Sequence, residues 1–324
     1  MRLVFRADAS SEMGAGHIMR CSAIAEEALS RGISCVLVGS LGGILWLEKR
    51  LLEIGLEIQN IEHFNQSRVT NGDVLIIDSY SHLNIVRFIE SHEWSRVVSI
   101  IDETSPIIES SLFIHPGLDD SWFVGNRDKF LSGAKYIPLR RTIKKTQRVN
   151  IGSVQTIVVF GGGTDVFHFA HSIAEKLVAM PGFERVIFFA EDTFGLELLD
   201  SRFHFLHFGD SLDQVIESAD LVLTTASTSS LEMLAREVHL GVACAVGNQK
   251  AYYDALEKTC AVGMLGKRSD SGNWNLDENE LRKLILDQNY RKKLRLNSYG
   301  LIDLSGAKRI VDAISTLVSR GEKV

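Results

Sequence analysis

Phe5-Arg-Ala-Asp-Ala-Ser-Ser-Glu-Met-Gly-Ala-Gly-His-Ile-Met-Arg20 begins at the end of one apolar run and finishes inside another of different period. Leu3–Phe5 reads as a buried strand, and His17–Ser30 has the apolar spacing of a helix. Between them Gly14 and Gly16 let the backbone take positive φ and come close to a ligand. Strand, glycine loop and helix form the opening unit of an open α/β sheet, where ligands bind beyond the carboxyl ends of the strands.

The same alternation continues outward. Ser34–Val38, Val74–Ile77, Val97–Ile101 and Leu112–Ile114 read as further strands, with helices over Ile44–Ile54 and Asn84–Ser91. Near-continuous apolar strands predict a parallel sheet covered on both faces. Between about Asp119 and Ser153 charged and small residues dominate. The rhythm restarts with Thr156–Phe160, Arg185–Phe189, Leu221–Thr224 and Val242–Val246, and a helix over Ala307–Ser319 ends it. For 324 residues two domains are the natural reading. The sequence predicts an α/β protein with two Rossmann-like domains, 1–148 and 149–324, whose parallel sheets face across a cleft. The last helix is free to pack back on the first domain.

Composition narrows the function. A formal charge of −6 with scattered acidic residues excludes a large nucleic-acid footprint, and the cluster Arg140–Lys145 reads as a solvated linker. Cys21, Cys35, Cys244 and Cys260 lie far apart without a CxxC pair, so they read as buried reduced thiols rather than a metal site. The charged start, Met1–Asp8, lacks a signal-peptide core, and Gly32–Leu47 is too short to span a bilayer. The expectation is a cytoplasmic protein with neither metal nor cofactor and no integral membrane segment; its oligomeric state is left open. Ile44-Leu-Trp-Leu47 followed by Lys49-Arg50 reads as a core helix with one solvated edge, although it also has the make-up of an apolar, basic-rimmed patch.

Met19 stands where GxGxxG would need its third glycine, and the second strand does not end in an acidic residue, so the loop departs from the dinucleotide fingerprint. His17, where loop becomes helix, is placed to take a proton at physiological pH; the plainer reading is a histidine packing the helix start. Asp8 and Ser10 likewise read as ligand contacts or as turn and cap residues. In the second half Gly162, Gly163 and Thr164 follow Thr156–Phe160, either approaching a ligand or making a tight turn, with Thr164 or Asp165 available to cap the next helix. A strand then ends in small hydroxyl residues, and after Ser227 the residues Thr228–Ser230 open a helix; these hydroxyls and the helix N–H groups suit a diphosphate. Glu232 is placed either to accept ribose hydroxyls or to close a capping box with Ser229. Asn248 and Gln249 bring amides to a strand end, where they can read sugar or base groups.

Taken together these residues resemble the UDP-sugar hydrolases of the pseudaminic acid pathway, close to the spore-coat polysaccharide proteins and more distantly to MurG-type glycosyltransferases. The resemblance is carried by Arg6, Asp8, Ser10, Gly14, Gly16, His17 and Arg20, then by Asp78, Tyr80, Asp102 and the Gly133–Arg140 stretch. It continues in Gly162-Gly163-Thr164-Asp165, Glu232, Asn248-Gln249, Asp303, Gly306 and Arg309. It implies a GT-B-type fold and metal-independent hydrolysis of a UDP-linked diacetamido-trideoxy-L-altrose to UDP and free sugar, with inversion. His17 would be the general base, the helix near Thr228 would hold the diphosphate, Glu232 the ribose, and Asn248 with Gln249 the sugar or phosphate. The alternatives are a glycosyltransferase using the same donor and a non-catalytic sugar-nucleotide sensor. Three departures bear on the sugar: Ser227 replaces a common glycine, His115-Pro116 an asparagine-rich segment, and Val166-Phe167 a Pro-x-Asn.

Overall fold

The computed structural model describes residues 1–10, 13–65, 69–70, 72–119, 129–146, 152–190, 195, 198–208 and 212–321. The chain forms two units, one of Met1–Arg141 with Asp303–Val324 and the other of Thr142–Ile302. The boundary expected at residue 148 lies outside the described residues. Lys145 donates to Glu237 Oε1 and the Thr146 N–H to the Arg236 carbonyl, so the end of the expected linker is held on the second unit.

The first unit contains β1 (Arg2–Ala7), α1 (Gly16–Ser30), β2 (Ser34–Val38), α2 (Leu45–Glu53), β3 (Glu57–Gln59), α3 (Ile61–Asn65), β4 (Asp73–Asp78), α4 (His82–Glu90), β5 (Arg96–Ile100), β6 (Leu112–His115) and β7 (Phe130–Ser132). Its strands form one parallel sheet in the order β3-β2-β1-β4-β5-β6-β7. Residues alternate along β1: Leu3, Phe5 and Ala7 join the core shared with α1, whereas Val4 joins Phe64, Ile85 and Phe88 on the other face. Burial on both sides accounts for the unbroken apolar strands. The chain passes from β1 to β2 on one side and returns to β4 on the other. The loops after β1 and β4 therefore leave from adjacent strand ends, at the switch point.

The second unit contains β8 (Thr156–Phe160), α5 (Phe169–Leu177), β9 (Arg185–Phe189), β10 (Phe203–Leu206), α6 (Leu212–Glu217), β11 (Leu221–Thr225), α7 (Thr228–Ala235), β12 (Leu240–Cys244), α8 (Lys250–Thr259), β13 (Gly263–Arg268), β14 (Trp274–Leu276), α9 (Glu278–Leu286) and α10 (Gln288–Ser298). The order β10-β9-β8-β11-β12-β13-β14 repeats the first topology, with only β14 antiparallel to its neighbour. The switch point falls between β8 and β11. The last helix, α11 (Gly306–Ser319), belongs to the first unit, where Ile310, Val311 and Ile314 pack with Ile18 and Ile24 of α1. Gly306 is required there, since a Cβ would lie 2.0 Å from the Ile137 carbonyl oxygen.

The expected elements recur with shifted ends. The strand expected over Val242–Val246 starts two residues earlier and stops at Cys244, because a 3₁₀ turn at Gly247–Gln249 follows. The expected helix Asn84–Ser91 begins at His82, just after Ser81. Short edge strands such as β3, β7 and β14 were not anticipated. Cys260 is also corrected: it is exposed, in left-handed conformation at the end of α8, whereas the other three thiols are buried. On α2, Leu47 and Leu51 are buried and Leu45 is exposed, so the helix has one core stripe. No helix among the described residues is long and apolar enough to cross a membrane.

Candidate active site

Ala7, the last residue of β1, pairs in register with Asp78, the last residue of β4. Beyond Ala7 the chain turns tightly. The Ser10 hydroxyl accepts from Met13 N at 3.0 Å, its carbonyl accepts from Gly14 N at 2.8 Å, and Gly14 takes a φ of +79°. α1 then starts at Gly16 without a side-chain cap, placing His17 in its first turn and Arg20 three residues on along the same face. Both side chains reach Asp78. His17 Nδ1 is hydrogen-bonded to Asp78 Oδ1, Arg20 Nε donates to Oδ2 at 2.8 Å, and an Arg20 terminal nitrogen donates to Oδ1 at 2.7 Å. All three residues are buried.

The charges fix the proton. Burial alone would raise the Asp78 carboxyl, but the Arg20 guanidinium and the His17 ring outweigh it and hold the group below the ordinary carboxylate range. Asp78 is therefore an acceptor, which makes Nδ1 of His17 the N–H nitrogen and leaves Nε2 as the basic one. Tyr80 packs edge-on to the imidazole, with ring centroids 4.5 Å apart at 84°. Its hydroxyl donates to Asp102 Oδ2 at 2.7 Å, and burial, reinforced by Asp102, pushes the phenol up. Asp102 Oδ1 accepts from Thr104 N, Thr104 Oγ1 and Ser105 Oγ at 2.9–3.0 Å. Burial opposes ionisation of Asp102, but Arg20, Tyr80 and Thr104 prevail and lower it.

Arg6 and Asp8, expected to touch substrate, are engaged with their own loop. An Arg6 terminal nitrogen lies 2.8 Å from Asp8 Oδ2, the guanidinium stands over the Phe88 ring, and Asp8 Oδ1 accepts from Ser40 N at 2.9 Å. A Cβ on Gly39 would fall 1.8 Å from the Ala7 carbonyl oxygen, so the loop after β2 lies directly against the loop leading to His17.

The equivalent edge of the second unit is built differently. Gly162 takes a φ of +96°, with its Cβ position 3.9 Å from Thr225 Oγ1 at the end of β11. Gly163 and Thr164 complete this loop, and Asp165 closes it by accepting from Phe169 N and Ala170 N at 2.9 and 3.0 Å. The cap is therefore Asp165 rather than Thr164, and burial raises its carboxyl to about 7 against those two bonds. α7 starts at Thr228 after Ser227, so its third position is Ser230, which donates to the Ser227 carbonyl. Glu232 lies two residues further, and because Ser229 is inside the helix rather than at its cap, the alternative of a capping box with Ser229 is not realised. Ser227 has φ −138°, an extended conformation open to any residue, so the absence of glycine there carries no strain. The Thr224 and Thr225 hydroxyls are buried without a hydrogen-bond partner among the described residues. Gln249 Oε1 accepts from Ala245 N, while Asn248 is exposed.

No protein-family model matches the chain, and no curated protein matches it. Solved structures do. The glycosyltransferase of kitacinnamycin superposes with a TM-score of 0.64 at 14% identity, covering 98% of both chains. HepE from Anabaena, in complex with UDP and glucose, gives 0.60 at 14% identity over 98% of this chain and 100% of its own. MurG of Acinetobacter baumannii gives 0.56 at 12% identity over 98% and 100%. The chain has the GT-B fold.

Within this GT-B chain, His17, Arg20, Asp78, Tyr80 and Asp102 form one connected cluster in the first unit. Asp303, Gly306 and Arg309 are the anchor of α11: Arg309 donates to both Asp303 carboxylate oxygens at 2.7 and 2.6 Å and to the Lys135 carbonyl at 2.9 Å. Sequence reading gave Asp102 no role and passed over Thr104 and Ser105. Asp102-Glu-Thr-Ser105 carried a signal, because an aspartate followed by hydroxyl residues is a turn that satisfies its own carboxylate. The threonines at the end of β11 were legible as a strand ending in small hydroxyl residues, but their burial was not.

Proposed function

We propose that the chain is a glycosyl-transferring enzyme that uses a UDP-sugar donor, with His17 as the general base that deprotonates an acceptor hydroxyl. The observation that carries this reading is the His17–Asp78 pair. A buried carboxylate fixes Nδ1 as the donor, leaving Nε2 to accept a proton as the acceptor oxygen attacks the anomeric carbon. The second unit is assigned the nucleotide. The amino end of α7 and the buried hydroxyls of Thr224 and Thr225, which have no partner among the described residues, suit a diphosphate, and helix N–H groups there would offset the charge that develops on departing UDP. Glu232, Asn248 and Gln249 are assigned to ribose and sugar recognition. The full-length likeness to the glycosyltransferases of kitacinnamycin and calicheamicin supports transfer over hydrolysis.

A second reading keeps the same machinery with water as acceptor, giving hydrolysis of a UDP-linked amino-deoxy sugar. The resemblance of the Arg6–Arg20 segment favours it. UDP release from a panel of UDP-sugars, with and without pooled hydroxyl acceptors, separates the two. Acceptor-dependent release supports transfer, acceptor-independent release supports hydrolysis, and tight UDP binding without any release leaves only a sensor.

A further inference from the structure

We propose that Arg20 is a positioning residue that cancels the charge of Asp78, so that the carboxylate can fix the His17 tautomer without loading the ring with a proton near neutral pH. This rests on His17 acting as the base. A lone carboxylate hydrogen-bonded to an imidazole favours imidazolium, and a base already protonated has nothing to accept with. Here the carboxylate is shared. Arg20 donates to both of its oxygens, and its terminal nitrogen lies 3.1 Å from His17 Nδ1 itself. The anion touches the ring through its hydrogen bond, and the cation stands within hydrogen-bonding distance of the same nitrogen.

Burial makes this balance count. Arg20, His17 and Asp78 are 6, 5 and 1% exposed, so water screens their charges poorly. With the ring neutral, the Asp78–Arg20 pair sums to zero charge. The groups that the structure places against His17 among the described residues are Arg20 from its own helix, Asp78 from β4 and Tyr80 beyond it; Asp102 lies behind Tyr80, and Cys21 is near Asp78 and Arg20. Burial holds the Cys21 thiol and the Tyr80 phenol protonated, while Asp102 stays ionised and acts on Arg20 from beyond Tyr80, a charge that is the same in every variant below. An arginine suits the position because its fork serves both oxygens and it stays charged when buried, where a lysine gives up its proton more readily.

The test follows the His17 ring nitrogens by NMR against pH in the full-length protein with ¹⁵N-labelled histidine, assigned by their loss in His17→Gln. Arg20→Gln removes the cation and is expected to raise the titration midpoint by about one pH unit or more. Asp78→Asn is expected to lower it. The double variant restores a zero sum and is expected to fall back between the two, near wild type. An unmoved or lowered midpoint in Arg20→Gln overturns the proposal. Should Arg20→Gln fail to fold, the double variant must still titrate above Asp78→Asn; if it does not, the proposal fails. The acid limb of kcat/KM tests the underlying reading separately. If the NMR order holds while that limb stays fixed, the charge balance stands and His17 is not the base.

Discussion

Oδ1 of Asp78 accepts both from Nδ1 of His17 and from the guanidinium of Arg20, three residues further along the same helix. The relationship arises because β1 and β4 are neighbours whose following loops emerge side by side, and because α1 begins without a polar cap to compete for the histidine. One carboxylate at the end of β4 thereby fixes the orientation, tautomer and charge surroundings of one imidazole.

Replacing His17 by Ala removes the proton acceptor and is expected to lower kcat by ~10²–10⁴-fold with UDP affinity kept. Asp78→Asn is expected to lower kcat by a comparable order, because the ring loses its fixed tautomer. Steady-state UDP release alongside calorimetric UDP titration checks both. An equal loss of UDP affinity in either variant would place His17 or Asp78 in binding rather than catalysis.

Thr225→Val separates ligand recognition from stability. The hydroxyl it removes is buried and has no partner among the described residues, so the ligand-free protein is expected to melt at the same temperature or higher. If that hydroxyl holds a phosphate oxygen, UDP affinity falls about tenfold, the equivalent of one hydrogen bond to a charged group. Thermal melts with and without UDP give both numbers.

Gly39→Ala tests the support behind the catalytic loop. The added methyl would meet the Ala7 carbonyl, so one of the two loops must shift. A loss of roughly 1–3 kcal/mol in denaturant unfolding is expected, with a fall in kcat as His17 moves. Unchanged stability would show that the two loops are not in fixed contact.

Asp165 gives a pH signature of the opposite sign to that of Asp73, Asp78 and Asp102. Its carboxyl is raised from the ordinary value of 3.8 to about 7 by burial, so the folded state binds more protons than the unfolded one between those values. Stability from this group is complete below pH ~4 and is lost as pH rises through about 7. The lowered aspartates act in the other direction, with their contribution lost as the medium turns acid. Asp165→Asn is expected to reduce the drop in melting temperature between pH 5 and pH 8, and an unchanged drop would contradict the assignment.

The βα order was legible because parallel strands buried on both faces leave runs such as Thr156–Phe160 with no polar interruption. Edge strands were not, since β3 and β14 are three residues each and carry little pattern of their own. At the site, His17 stood out from its place after two glycines. Its partner Asp78 lies 61 residues away, and only the β1–β4 register brings them together. Arg6 and Asp8 drew attention because they lie on the same strand-to-helix segment as His17, yet the alternation of β1 sends Arg6 to the opposite face, against Phe88.

The most direct test of the central claim is UDP release from a panel of UDP-sugars, with pooled acceptors, by wild type and His17→Ala proteins of equal UDP affinity. The account expects release by wild type and a ~10²–10⁴-fold loss in the variant. Release at the same rate by both proteins would contradict it.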